Sequence, residues 1–192
     1  MLFRSGKIMH ELRRGELAAL RSVPQTPYYG SVDATPLWLL LVCELTMWTG
    51  DLEAFEELAP SVDAALGWIA GDADPDGDGF VEYRRRSRAG LVNQGWRDAA
   101  DAVVHADGTP AEGPIALAEV QAYVYYAKRR LAALYGRLGD IERSERMASE
   151  ARELKRRFNE RFWVEEGGFL AMALDGEKRP VTTPARKSVV EG

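Results

Sequence analysis

Leu91-Val92-Asn93-Gln94-Gly95-Trp96-Arg97-Asp98 is the segment best equipped for chemistry: a carboxylate beside an indole, behind two amides and a glycine. A carboxylic acid that must keep its proton near neutral pH needs an apolar neighbour to disfavour the charged form, and Trp96 is placed to supply one. Aromatic faces also stack on sugar rings, and the Asn93 and Gln94 side chains suit pairs of hydroxyls. The types together point to a carbohydrate site. Their ordinary alternative is a loop in which Trp96 is buried and Asp98 caps a helix.

A second acidic segment, Asp74-Pro75-Asp76-Gly77-Asp78-Gly79, opens like a calcium loop. Such a loop closes on a bidentate Glu at its twelfth position, where this chain has Arg85, between Arg84 and Arg86. An Asp/Gly turn bonded to its own amides is the better expectation, and no metal is assigned. The Arg84 to Arg86 run with Arg88 reads as a solvated loop face, with contact to an anionic group on substrate or partner as the lesser reading. Glu165 and Glu166 read as a hairpin turn, and His10 and His105 as structural.

These residues need a helical frame. Ile8, Leu12, Leu17 and Leu20 suggest a helix over roughly Gly6 to Arg21, followed by a loop to Ala34 carrying Tyr28 and Tyr29. Thr35-Pro36 signals a helix start and Gly50 its end. Asp51 caps a helix to about Ile69 that Pro60 should kink or break. Residues 71–113 form a long loop rich in Gly, Asp and Arg, of the sort that carries function. Helix resumes from about Pro114 to Tyr135 and again from Asp140 to Phe162, and the runs around Gly167-Gly168 predict a small β-hairpin. The paired turns Gly50-Asp51 and Gly139-Asp140 echo each other, as in stacked helical hairpins. The fold class is therefore all-α, with a small β-hairpin near the C-terminus.

Composition narrows the partners. Of 192 residues, 46% are hydrophobic and 29% charged, the balance of a globular domain. A net charge of −5 argues against a nucleic-acid or anionic-membrane binder. The single Cys43 excludes an internal disulfide. No apolar run approaches the length of a membrane span, and no secretory signal is read, so the expected compartment is cytoplasmic.

Several motifs, in order over about residues 6 to 180, resemble the bacterial amylo-alpha-1,6-glucosidase (glycogen debranching enzyme-like) family. They are Gly6-Lys7-Ile8 with His10 to Arg13, Tyr28 to Leu37, Asp76 to Tyr83, Asn93 to Asp98, Glu112 to Leu117 with Glu119 to Tyr125, and Ala173 to Pro180. The resemblance implies part of an (α/α)6 toroid, the six-hairpin glycosidase fold, with a sugar pocket built from loops at one rim. It implies inverting hydrolysis of α-glucosidic linkages in glycogen or gluco-oligosaccharides. Asp98 would be the general acid, and a second carboxylate would activate water from roughly 6.5–9.5 Å away.

Tyr29, Asp33, Asn93, Gln94, Trp96, Glu119 and Gln121 would hold the sugar, without a cofactor. Asp33 could equally cap a helix. Asp101 is the residue most easily confused with Asp98. Where the family pattern has serine and a further polar residue after the acid, this chain has Ala99 and Ala100.

A whole toroid takes twelve helices, and about five or six are legible here. Residues 1–181 are thus expected to be part of a catalytic domain whose remainder supplies the base, leaving the isolated chain with little or no turnover. Residues 182–192 read as an unrelated or frameshifted tail. The rival is a non-catalytic helical-repeat interaction module resembling tetratricopeptide arrays, which should show a period near 34 residues.

Overall fold

The computed structural model of the chain describes residues 6–20, 22, 27–86 and 90–183. Arg21, Arg88 and the tail from residue 184 onward lie outside them. Among the described residues the helices are α1 (Glu16–Ala19), α2 (Ala34–Thr49), α3 (Leu52–Ala70), α4 (Ala118–Arg137) and α5 (Ile141–Phe162). Two long hairpins, α2–α3 and α4–α5, pack together through α2 and α4. The mostly helical architecture and the stacked hairpins agree with expectation.

The echoed turns share one construction. Gly50 (φ 72°) and Gly139 (φ 79°) take the left-handed conformation that ends a helix at little cost to glycine. The next residue caps the following helix: Asp51 Oδ1 accepts from the Ala54 amide at 2.9 Å, and Asp140 Oδ1 from the Arg143 amide at 3.0 Å. Leu39, Val42 and Cys43 of α2 meet Val120, Val124 and Leu131 of α4 in one apolar core, which Phe55, Val62, Met147 and Leu154 extend. Arg130 ties the two hairpins by donating to Glu44, with Nη2 at 2.9 Å.

Three expectations change. Residues 6–14 are extended rather than helical. The amides of His10 and Glu11 donate to Tyr28 O, the amide of Ile8 donates to Thr35 Oγ1 at 3.0 Å, and Leu12, Leu17 and Leu20 are exposed. Their helical spacing buries nothing; the partners that decide this segment are distant in sequence. Helix α2 begins at Ala34, not at a Thr35 cap, because Thr35 Oγ1 accepts from the Ile8 amide while Ser31 Oγ accepts from the Ala34 amide at 3.0 Å. Helix α3 runs unbroken through Pro60.

The expected hairpin is present as β2 (Trp163–Val164) against β3 (Phe169–Leu170). A second sheet, β1 (Ala116–Leu117), β4 (Ala173–Leu174) and β5 (Pro180–Val181), is ordered β1-β4-β5 and antiparallel throughout. Its two-residue strands are too short for an alternating pattern. Packing continues into Thr183, whose hydroxyl donates to Val104 O at 2.7 Å.

Along α2, Leu37, Leu41, Leu45 and Trp48 fall on one exposed apolar stripe, with Trp48 86% exposed. No described helix is long and apolar enough to cross a membrane.

Candidate functional site

The starts of α2 and α4 lie near each other, with the charge of Asp33 felt at Glu119, and the long loop between α3 and α4 bonds to both. That loop is held by its own polar groups. The Gln121 side chain, 1% exposed, accepts from the Val81 amide at 2.9 Å and donates to Val81 O and Leu117 O. Asn93, 2% exposed, accepts from the Tyr83 hydroxyl at 2.8 Å and donates to Ala99 O at 2.6 Å. The structure therefore corrects two expected sugar contacts: the amides of Gln121 and Asn93 are spent on fixing the loop. Further anchors are the Val32 amide to Gln94 O at 2.7 Å and the Leu91 amide to the Tyr28 hydroxyl at 2.9 Å. Gly95 lets the loop pass close to α4, since a Cβ there would push Leu117 Cδ1 aside.

The loop's acidic turn is wired as an Asp/Gly turn. The Gly79 and Phe80 amides donate to Asp74 and Asp78, each at 2.9 Å. Asp74, Asp76 and Asp78 bring oxygens close enough to share a cation. The chain supplies a charge itself: Lys178 Nζ lies 2.9 Å from Asp76 and 2.6 Å from Asp78 and bonds Glu82. Burial acts to raise the Asp76 carboxyl, but the bonds to Lys178 outweigh it and leave it below the ordinary value. Burial wins at Glu82, which stays above its ordinary value despite Lys178. His105 Nε2 lies 3.4 Å from the carboxylate of the buried Asp175.

At the rim, Trp96 and Arg97 reach from the loop to Glu119 in the first turn of α4. Burial pushes the Glu119 carboxyl up, and Asp33 adds to that; its own backbone amide, Arg97 and the nearby Trp96 indole oppose it without prevailing. Tyr123, one turn along α4, is raised by burial and by the charges of Glu119 and Asp33. Tyr83 is raised by burial and by Glu119. Asp33 does not cap α2 with its side chain, and its carboxylate accepts from the Ser31 hydroxyl. Asp33, Trp96 and Glu119, far apart in sequence, thus form one electrostatic unit.

Asp98 is exposed and lines neither of the two cavities at this rim. Trp96 is itself 64% exposed, with the Arg97 guanidinium stacked 4.8 Å from its ring centroid. The indole lines the smaller cavity together with the Glu119 carboxyl. Asp101 is exposed too.

The candidate sugar residues divide between two cavities. A smaller one, of about 330 Å³, is lined by Trp96, Arg97 and Glu119 with Met172 and Thr183. A larger one, of about 560 Å³, takes Tyr29 and Gln94 together with Lys7, Trp68, Arg84 and Arg86. Asp33 stands between them electrostatically, since its charge is felt by Glu119 on one side and by Lys7 on the other. No family model and no curated protein matches the chain.

Tyr83, Arg97, Tyr123 and Lys7 lie inside the resembling motifs, but no site role is expected of them individually. Tyr123 had a signal, its four-residue spacing from Glu119 on a helix. Lys7 had none, because its partners are fixed only by tertiary structure.

Glu119 gives a pH prediction. An acid whose folded value lies above its unfolded value of about 4.5 makes no demand below that pH, where both states hold the proton. As pH rises through the window above 4.5, folding loses free energy, until the folded carboxyl ionises too. Thermal unfolding of Glu119→Gln across that window should show a shallower fall in stability than the parent chain; parallel profiles would contradict the assignment.

Proposed function

We propose that this chain carries the sugar-holding rim of an inverting glycoside hydrolase acting on α-glucosidic linkages, in glycogen or gluco-oligosaccharides. The observation that carries the reading is the convergence of Asp33, Trp96 and Glu119 where α2 and α4 begin, beside two cavities. A sugar ring needs an aromatic face and fixed acceptors for its hydroxyls, and this unit offers both. The motifs from Tyr28 to Leu37 and from Asn93 to Asp98, which suggest the amylo-alpha-1,6-glucosidase family and its helical toroid, contribute these same residues.

Asp98 is the proton donor in this reading. It follows Trp96 and Arg97, which line the smaller cavity, and is itself exposed. Asp33 and Glu119 orient hydroxyls, Gln94 and Tyr29 contact the adjoining ring, and Asn93 and Gln121 keep the loop in place. Inversion further requires a carboxylate on the opposite face of the ring to activate water, and the reading assigns that group to the rest of the catalytic ring. No cofactor enters, because carboxylates and hydrogen bonds handle the oxocarbenium-like transition state.

In a protein carrying this chain within the complete ring, Asp98→Asn should lower kcat by about 10²–10⁴-fold while leaving the Kd for α-glucosides unchanged. Unchanged kcat would remove Asp98 from the chemistry.

A second reading, a helical interaction module, is favoured by the exposed stripe of Leu37, Leu41, Leu45 and Trp48 on α2. The hydrolase reading covers that stripe with a neighbouring hairpin of the ring. The echoed turns at Gly50 and Gly139 are much farther apart than a period near 34 residues allows. The long polar loop likewise has no place in such an array.

A further inference from the structure

We infer that the larger cavity receives the anionic group of a charged saccharide, a phosphate or a carboxylate, between Lys7, Arg84 and Arg86. Two segments distant in sequence deliver these three cations to one cavity of about 560 Å³ whose walls include Tyr28 and Trp68. Among the described residues, none of the three lies within ion-pair distance of a carboxylate. The same lining carries three carboxylates: Asp76 and Glu82, which both bond Lys178, and the exposed Asp72.

Lys7 does not swing freely. Its Nζ sits 5.3 Å from the Trp68 ring centroid, half-buried and facing the cavity. Burial and the like charge of Arg86 bring its ammonium down to about 8, with Asp33 opposing them. Lys7 is the partly desolvated cation and Arg84 and Arg86 are exposed beside it; an anion between like charges relieves their repulsion. Arginine supplies the planar fork that matches phosphate and carboxylate oxygens, and lysine adds a point charge. A neutral sugar would have no use for this wall.

That the ligand is a saccharide rests on the glucoside reading of the adjoining rim: Tyr29 and Gln94 line this same cavity, and the charge of Asp33 reaches both Lys7 and Glu119. The anion would then mark the ring next to the one held at Trp96.

The test titrates the 192-residue chain with glucose, glucose 6-phosphate, glucuronate and inorganic phosphate, following Lys7 by lysine-labelled NMR and affinity by calorimetry. The charged sugars should bind at least about ten-fold more tightly than glucose and shift the Lys7 resonance. Lys7→Met and Arg86→Gln should each cost roughly ten-fold of that affinity, and Arg86, being exposed, can be replaced without disturbing the fold. Equal affinity for glucose and the charged sugars, or full affinity in both variants, would overturn the inference. Inorganic phosphate binding as tightly as glucose 6-phosphate would overturn its saccharide half. The Trp96 indole resonance in maltose separates the two ideas. A maltose response at Trp96 without charged-sugar binding ends this inference alone; the converse supports it and ends the glucoside reading.

Discussion

Lys178→Met should lower folding stability by about 3–5 kcal/mol, read from chemical denaturation at neutral pH. The methionine keeps most of the volume and removes the ammonium, leaving Asp76, Asp78 and Glu82 facing one another without their counter-charge. The Glu82 side chain is 1% exposed, so water cannot take over. Removing one partner of such a group costs far more than an exposed pair is worth. Lys178 also sits at φ 62°, a backbone state that a non-glycine residue holds only when its surroundings insist.

The sign with pH follows from the two shifts. Burial opposes the Lys178 charge, but its bonds to Asp78, Glu82 and Asp76 prevail, so its value lies above the ordinary 10.5. Its contribution is fully present below 10.5 and fades as pH rises through the folded value. Asp76 is depressed, so its share is present above 3.8 and fades as pH falls through its folded value. The difference between parent and variant should therefore be largest across the neutral range. A variant as stable as the parent there would show that the carboxylates do not need the lysine.

Phe162→Ala should cost a further about 3–5 kcal/mol, and it should reach the site as well as the core. Phe162 is fully buried at the end of α5, stacked 4.5 Å from Phe158 and edge-on to Phe80 at 5.3 Å. Phe80 lies between the acidic turn and the Val81 backbone held by Gln121. The cavity left by the ring therefore opens beneath the loop that carries Trp96. Amide exchange over residues 71–100 should quicken more than exchange in α2. Uniform acceleration would mean that the ring supports the fold without specially supporting the loop.

The paired turns were legible in the sequence because their cause is local: a glycine that bends left and an aspartate that caps three residues on. Long helices followed from the same cues. The segment around Ile8 was not legible, since its spacing fits a helix while its hydrogen bonds go to Tyr28 and Thr35. The acidic turn was read as a turn, but Lys178 lies about a hundred residues away and nothing nearby announces it.

The site divides along the same line. Residue type points to Trp96 and the family resemblance to Asp33 and Glu119, and the fold brings all three within electrostatic reach of one another. Asn93 and Gln121 have equally suitable amides, but their positions turn inward, and burial decides between ligand and clamp. Trp96 lines a cavity with Glu119, while Asp98 lines neither cavity.

The rim is tested most directly by the Trp96 indole N–H resonance of the intact chain during titration with maltose and isomaltose. The account predicts a saturable shift, abolished by Asp33→Asn and by Glu119→Gln and retained in Asp98→Asn. An indole signal that stays still in every α-glucoside tried, in a chain shown to be folded, would contradict it.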